Sequence, residues 1–134
     1  MRILLIAAVA ALAASPLAAK TFTAENGIQV VPARAGFTVQ GDAGSGARHI
    51  WCAAGDYASR RAGAGGAARL YIAEGRAPGL GQRGPIRFTL DAAGLTPSAV
   101  LVTGLSLRNA GANISVGHAR SFCSNTSPSA GGTR

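Results

Sequence analysis

Only one stretch of this chain repeats its apolar side chains at helical spacing. Within residues 46–61, Ala47, Ile50, Trp51, Ala54, Tyr57 and Ala58 recur three and four positions apart, which puts them on one face of a helix. Ser45 is placed to cap its start and Gly63 to end it. Beyond residue 19 the other apolar residues alternate in short runs, the pattern of half-buried strands. Residues 21–33 carry two such runs around Asn26-Gly27, a tight hairpin signal because both residues tolerate positive φ. A short strand follows at 37–40. Leu70 and Ile72 then alternate with Arg69 and Tyr71, and Ile86, Phe88 and Leu90 with Arg87, Thr89 and Asp91. Val100 to Val102 with Leu105 and Leu107, and then Ile114, Val116 and His118, read as the two closing strands, a hairpin across residues 109–113. A hairpin, a strand, one helix and four strands predict an α+β domain, a single helix packed on an antiparallel β-sheet with one disulfide.

The apolar run that lies outside this pattern, residues 3–14, follows Arg2 and precedes Ser15-Pro16-Leu17-Ala18-Ala19. That is the layout of a secretory signal peptide, so residues 1–19 are set aside and the domain is expected to span 20–123. Residues 124–134 are small and polar, and a disordered tail is expected there. No other stretch is long and apolar enough to span a membrane. The expected location is the periplasm or outside the cell, where two cysteines in a small domain read as a bridge. Cys52 and Cys123 would close a loop of about 70 residues, for roughly 4 kcal/mol in the chain-entropy model. On the helical wheel Cys52 falls beside Arg48, Asp56 and Ser59, off the apolar stripe, so the bridge is expected on the helix's flank.

The stretch Trp51-Cys52-Ala53-Ala54-Gly55-Asp56-Tyr57-Ala58, with Leu105-Ser106-Leu107, His118-Ala119 and Phe122-Cys123 further on, resembles small uncharacterised exported proteins of proteobacteria. The resemblance implies a disulfide and carries no activity with it.

The chemistry-bearing residues are sparse. Five carboxylates follow the leader, Glu25, Asp42, Asp56, Glu74 and Asp91. Ala43-Gly44-Ser45-Gly46-Ala47 lacks the outer glycines of a nucleophile elbow. His49 is expected on the solvated side of the helix and His118 on a strand beside Ile114 and Val116, and neither is drawn to Asp56 by spacing. No catalytic site is expected, and the two histidines and two cysteines lie at no zinc spacing. Gly41-Asp42-Ala43-Gly44-Ser45-Gly46 places glycines ahead of a helix as a phosphate loop does, but Ala47-Arg48 replaces the Lys-Ser/Thr. Backbone amides at such a helix start still attract anions. No cofactor is expected.

Arginine is the strongest departure from a neutral domain. Of 13 Lys+Arg against 5 Asp+Glu, Lys20 is the only lysine, and Arg60, Arg61, Arg69, Arg76, Arg83 and Arg87 face Glu74 alone between residues 60 and 87. Parity puts Arg69, Tyr71 and Arg87 on the solvent face of neighbouring strands, with Arg76 and Arg83 on the loop that joins them. Guanidinium forks suit carboxylates and phosphates. This set, Arg69, Tyr71, Arg76, Arg83 and Arg87, is expected to bind an anionic envelope component, a lipid headgroup or an acidic glycan. An inhibitor of an envelope or exogenous enzyme, with an acidic protein as its target, is the alternative, and a small periplasmic hydrolase a weaker one. The compartment weighs against nucleic acid as a partner, as do one Trp, two Tyr and four Phe available for base stacking.

Overall fold

The computed structural model describes residues 20–41, 46–76, 84–99 and 107–125. Within them the strands are β1 (Phe22–Thr23), β2 (Gln29–Ala33), β3 (Gly36–Gln40), β4 (Arg69–Glu74), β5 (Ile86–Thr89), β6 (Ser98–Ala99) and β7 (Ala112–Ser115). The helices are α1 (Ala47–Arg60) and α2 (Val116–Ser121), and a 3-10 turn, Phe122–Asn125, follows α2. The strands form one seven-stranded sheet in the order β1-β2-β3-β5-β4-β7-β6. All pairs are antiparallel except β6 with β7. The fold is α+β. Because β3 and β4 each run antiparallel to β5, the chain leaves β3, crosses through α1, and returns in β4 with one strand's width left between them for β5.

The alternating residues do what their period requires. Val30, Phe37, Val39, Leu70, Ile72, Ile86, Phe88 and Ile114 are buried on the sheet face that carries α1. Aromatic side chains tie the two layers together. Phe22 meets Tyr57 edge-on at 5.4 Å, Tyr57 meets Phe37 at 4.4 Å, Phe37 stacks on Phe88 at 5.9 Å, and Phe88 meets Trp51 edge-on at 5.1 Å. Such pairs add about 0.5–1.5 kcal/mol each beyond the area they bury.

The expectation of a single helix is corrected. Val116 and His118 are not strand residues but belong to α2, whose N-cap Ser115 accepts a hydrogen bond from the His118 backbone N–H at 3.1 Å. Strand parity reached only to Ser115. The same residues also carry a helical spacing, Val116, Ala119 and Cys123 at i, i+3 and i+7, and all three are buried. The partner expected for β7 is corrected too, since β7 pairs with β4 through Leu70↔Ile114 and with β6. The expected strand Val100 to Val102 and Leu105 lie outside the described residues. Leu107 is buried and its carbonyl accepts the Arg76 N–H at 2.7 Å.

The second helix also overturns the exposed flank expected for α1. Every residue from Ile50 to Ala58 is buried, Cys52, Gly55 and Asp56 included. One side of α1 faces the sheet and the adjoining side faces α2, at a separation set by Gly55. A Cβ on Gly55 would lie 2.7 Å from Ala119 Cβ and 2.9 Å from the Arg120 backbone nitrogen. This second face is built from small residues and one carboxylate, so it leaves no apolar stripe in the sequence. The cystine Cys52–Cys123 does pin the C-terminal segment to α1, but from inside the helix–helix seam, with Cys52 0% and Cys123 3% exposed.

The turns also differ in detail from the sequence reading. The β1–β2 hairpin closes through the Gly27 N–H to the Ala24 carbonyl, and only Gly27, not Asn26, takes positive φ, at 85°. Asn26 instead accepts from the Ile28 N–H and donates to the His49 carbonyl, tying the turn to α1. Gly63, at φ 69°, ends α1 as expected and returns the Ala64 N–H to the Ala58 carbonyl. The start of α1 has Gly46 as N-cap with no side-chain cap, Ser45 lying outside the described residues.

Arg34 and Ala35 form the turn between β2 and β3, and Ala35 holds φ 60°, the left-handed region. That conformation costs an L-residue about 1–2 kcal/mol, against about 0.5–1 kcal/mol for the extra freedom of glycine in the unfolded chain. Ala35→Gly is therefore expected to raise stability by about 0.5–1 kcal/mol, read from the urea midpoint at unchanged slope. A lower midpoint would mean that the strain is absent in solution.

Candidate functional site

The five residues expected to form one arginine face are divided by the fold. Arg69 and Tyr71 of β4 and Arg87 and Thr89 of β5 point away from α1, as their alternation with Leu70, Ile72, Ile86 and Phe88 requires. Tyr71 is half-buried between its neighbours across the ladder, Thr89 on β5 and Asn113 on β7. The Arg69 guanidinium donates from Nε and Nη2 to Asn113 Oδ1, at 2.9 and 2.7 Å. Asn113 in turn donates from Nδ2 to the Ser98 and Gly111 carbonyls, which binds the β4, β7 and β6 edge together. Asn113 is neutral, so Arg69 keeps its charge on that face. Arg87 pairs with Glu74 at 3.3 Å, both side chains being largely exposed.

Beside Arg87 the sheet face is concave. After β5 the chain turns at Asp91, whose N–H donates to Thr89 Oγ1 and whose carboxylate accepts from the Ala93 N–H, and the turn rises as a wall. A depression of about 260 Å³ lies between it and the strands, lined by Ala35, Ala73, Arg87, Thr89, Asp91 and Leu95 among others. The roles of Asn113 and Asp91 were missed in the sequence. Asp91-Ala92-Ala93-Gly94 after a strand is a turn signal that could have found the second.

Arg76 corrects the expectation most sharply. It is not on an exposed loop but 6% exposed, on the α1 side of the sheet. Between Ile72 and Glu74 the β4–β5 register shifts by one residue, a bulge at Ala73. Bulges bend the strand that carries them, and here the chain past Glu74 turns toward α1. Arg76 Nε reaches the Gly84 carbonyl at 3.3 Å, while Nη2 finds no partner among the described residues. The guanidinium fits because residue 41 has no side chain: a Cβ there would lie 2.6 Å from Arg76 Nη2 and 3.2 Å from Ile50 Cδ1. Burial lowers the Arg76 pKa, yet a guanidinium stays protonated in proteins. Arg83 lies outside the described residues.

The residues weighed for hydrolysis do not converge. His118 is exposed on α2, and His49 is half-buried on α1. The Asp56 carboxylate is taken up by Arg60, through Nε and Nη2, and by the Glu25 N–H at 2.8 Å. Burial alone would raise the Asp56 pKa, but those hydrogen bonds and the charges of Arg60 and Arg120 outweigh it and hold the carboxyl below its ordinary value.

No protein-family model, no curated protein and no solved structure matches the chain. The cystine is compatible with an extracellular setting. No helix among the described residues is long and apolar enough to cross a membrane.

Proposed function

We propose that this is an exported domain, akin to the small exported proteobacterial proteins its Trp51 to Ala58 stretch resembles, that binds an acidic envelope glycan on the outer face of its sheet. The depression beside Arg87 carries this reading. It offers a guanidinium at the edge of a sugar-sized hollow, with the Arg69 charge and the Tyr71 ring on the neighbouring strand. Aromatic rings pack against the apolar faces of sugars, and Arg forks donate in plane to their carboxylates or sulfates. A lipid surface fits less well, because among the described residues the face presents no group of large apolar side chains to insert.

The test is retention on immobilised heparin at rising salt, with phosphatidylglycerol vesicles in parallel. Exposed charge-assisted contacts are worth roughly 0.5–1 kcal/mol each, so R69Q/R87Q is expected to bind about tenfold more weakly. R61Q/R120Q removes the same charge from the helical side of the domain and should lose far less. Equal losses would show that only total charge matters and would remove the site, and stronger retention by the vesicles would transfer it to lipid. Glu74→Gln, which releases Arg87 from its pair, is expected to strengthen heparin binding more than Glu25→Gln does.

A further inference from the structure

Independently of the outer face, and on the opposite side of the sheet, we infer that Arg76 holds a single oxyanion, a phosphate, sulfate or carboxylate group, against the first turn of α1. Three observations converge there. A guanidinium that is 6% exposed has one long hydrogen bond, from Nε to the Gly84 carbonyl, and an Nη2 with no partner among the described residues. An uncompensated buried charge is among the most unfavourable arrangements a fold can hold, and an anion that satisfies the guanidinium fork removes the penalty.

The second observation is the neighbour. Arg76 Nη2 and Ile50 Cδ1, a side chain of the first turn of α1, flank the same vacant Cβ position at Gly41. That helix begins at Gly46 with no side-chain cap and no acidic residue in its first turn. Its leading N–H groups have no intrahelical acceptors, and its dipole favours negative charge. The third observation is the glycine itself. Any side chain at position 41 would occupy the space beside Nη2. Together these give an anion a charged fork beside a helix start that no side chain caps. The cation of such a site comes from the end of β4, and Gly41 is the residue that leaves it space.

Thermal melting of the exported chain at constant ionic strength tests this, with inorganic phosphate or sulfate exchanged for chloride. Either ion is expected to raise Tm saturably, by about 5 °C at ten times its Kd for a domain of this size. Glucose 6-phosphate, run beside them, shows whether the niche takes a free ion only or also an anionic group carried on a larger molecule. Arg76→Met should melt no lower than the parent in chloride, since an apolar chain replaces an unpaired charge, and should show no rise with phosphate. Gly41→Ala, which fills the space beside Nη2, should also lose the rise. R69Q/R87Q should keep it in full, which separates this site from the glycan face. The inference is overturned if phosphate and sulfate do no more than chloride, or if Arg76→Met still responds. It is also overturned if Arg76→Met and Asp42→Asn are equally destabilised while the parent ignores phosphate, which would make an internal carboxylate the partner of Arg76.

Discussion

Replacing Cys52 and Cys123 together by alanine is expected to lower the unfolding free energy by about 4 kcal/mol. The bridge joins residues 71 apart in sequence, from the middle of α1 to the 3-10 turn that ends the described chain. Cross-linking so long a loop removes much of the freedom of the unfolded chain, and the loss grows with the logarithm of loop length. Both half-cystines are buried in the seam between α1 and α2, so alanine adds a small packing loss to the entropic one. Serine adds a buried hydroxyl, and Cys52→Ser/Cys123→Ser should fall below the alanine pair by about a further 1 kcal/mol. Urea unfolding of the oxidised protein and the two variants measures this. A loss under about 1 kcal/mol would show that contact of α2 with α1 closes the loop unaided. The same burial should make the native bridge resist dithiothreitol until urea opens the domain, with reduction tracking unfolding and not reductant concentration.

Asp56→Ala is expected to cost about 3 kcal/mol, the range for removing one partner of a buried, hydrogen-bonded charge pair. The carboxylate is fully buried while Arg60 is half exposed. On truncation Arg60 can turn to water, but the part-buried Glu25 N–H, held at 2.8 Å, loses its acceptor. Asn at this position keeps that acceptor and gives up the charge, so its loss should be about half as large. The pH dependence follows from the lowered pKa of Asp56. A carboxyl whose native pKa lies below its unfolded value contributes stability that is complete above the unfolded value, near 3.8, and is lost as the pH falls through the native one. Melting temperatures of parent and Asp56→Asn should therefore differ by a constant amount from neutral pH down to about 4.5 and converge below the ordinary carboxyl range. A gap that persists undiminished at pH 2 would show that the Asp56 charge contributes nothing to the fold.

These two sites differ in how far they could be read from residues alone. The bridge follows from two cysteines in a chain whose first residues read as an export leader, and needs no geometry. The Asp56 pair does not, because Asp56 becomes a buried residue only once α2 covers that side of α1. A helix of 6 residues shows too few turns to declare its period, and Ile114, Val116 and His118 happen to continue the strand alternation across Ser115. The central strands were legible because one sheet face is buried and the other is not: Leu70 with Ile72 and Ile86 with Phe88 could face only one way. That alternation also put Arg69, Tyr71 and Arg87 on the open face. It failed at Arg76, because one inserted residue at Ala73 breaks the period, and an arginine among glycines and prolines reads as surface until the missing side chain at Gly41 is seen beside it.

The insertion of β5 between β3 and β4 bears on biogenesis. A chain that has emerged only as far as β4 has its crossover helix and both flanking strands, yet the strand that must lie between them is still to come. Half-emerged chains would display two open ladder edges facing one gap, a configuration prone to capture by other extended chains. Completion of the sheet therefore waits for β5, and Cys123, which locks the structure, follows later still. A sheet wired this way cannot be completed by its N-terminal half, since β5 must enter the gap that β3 and β4 leave.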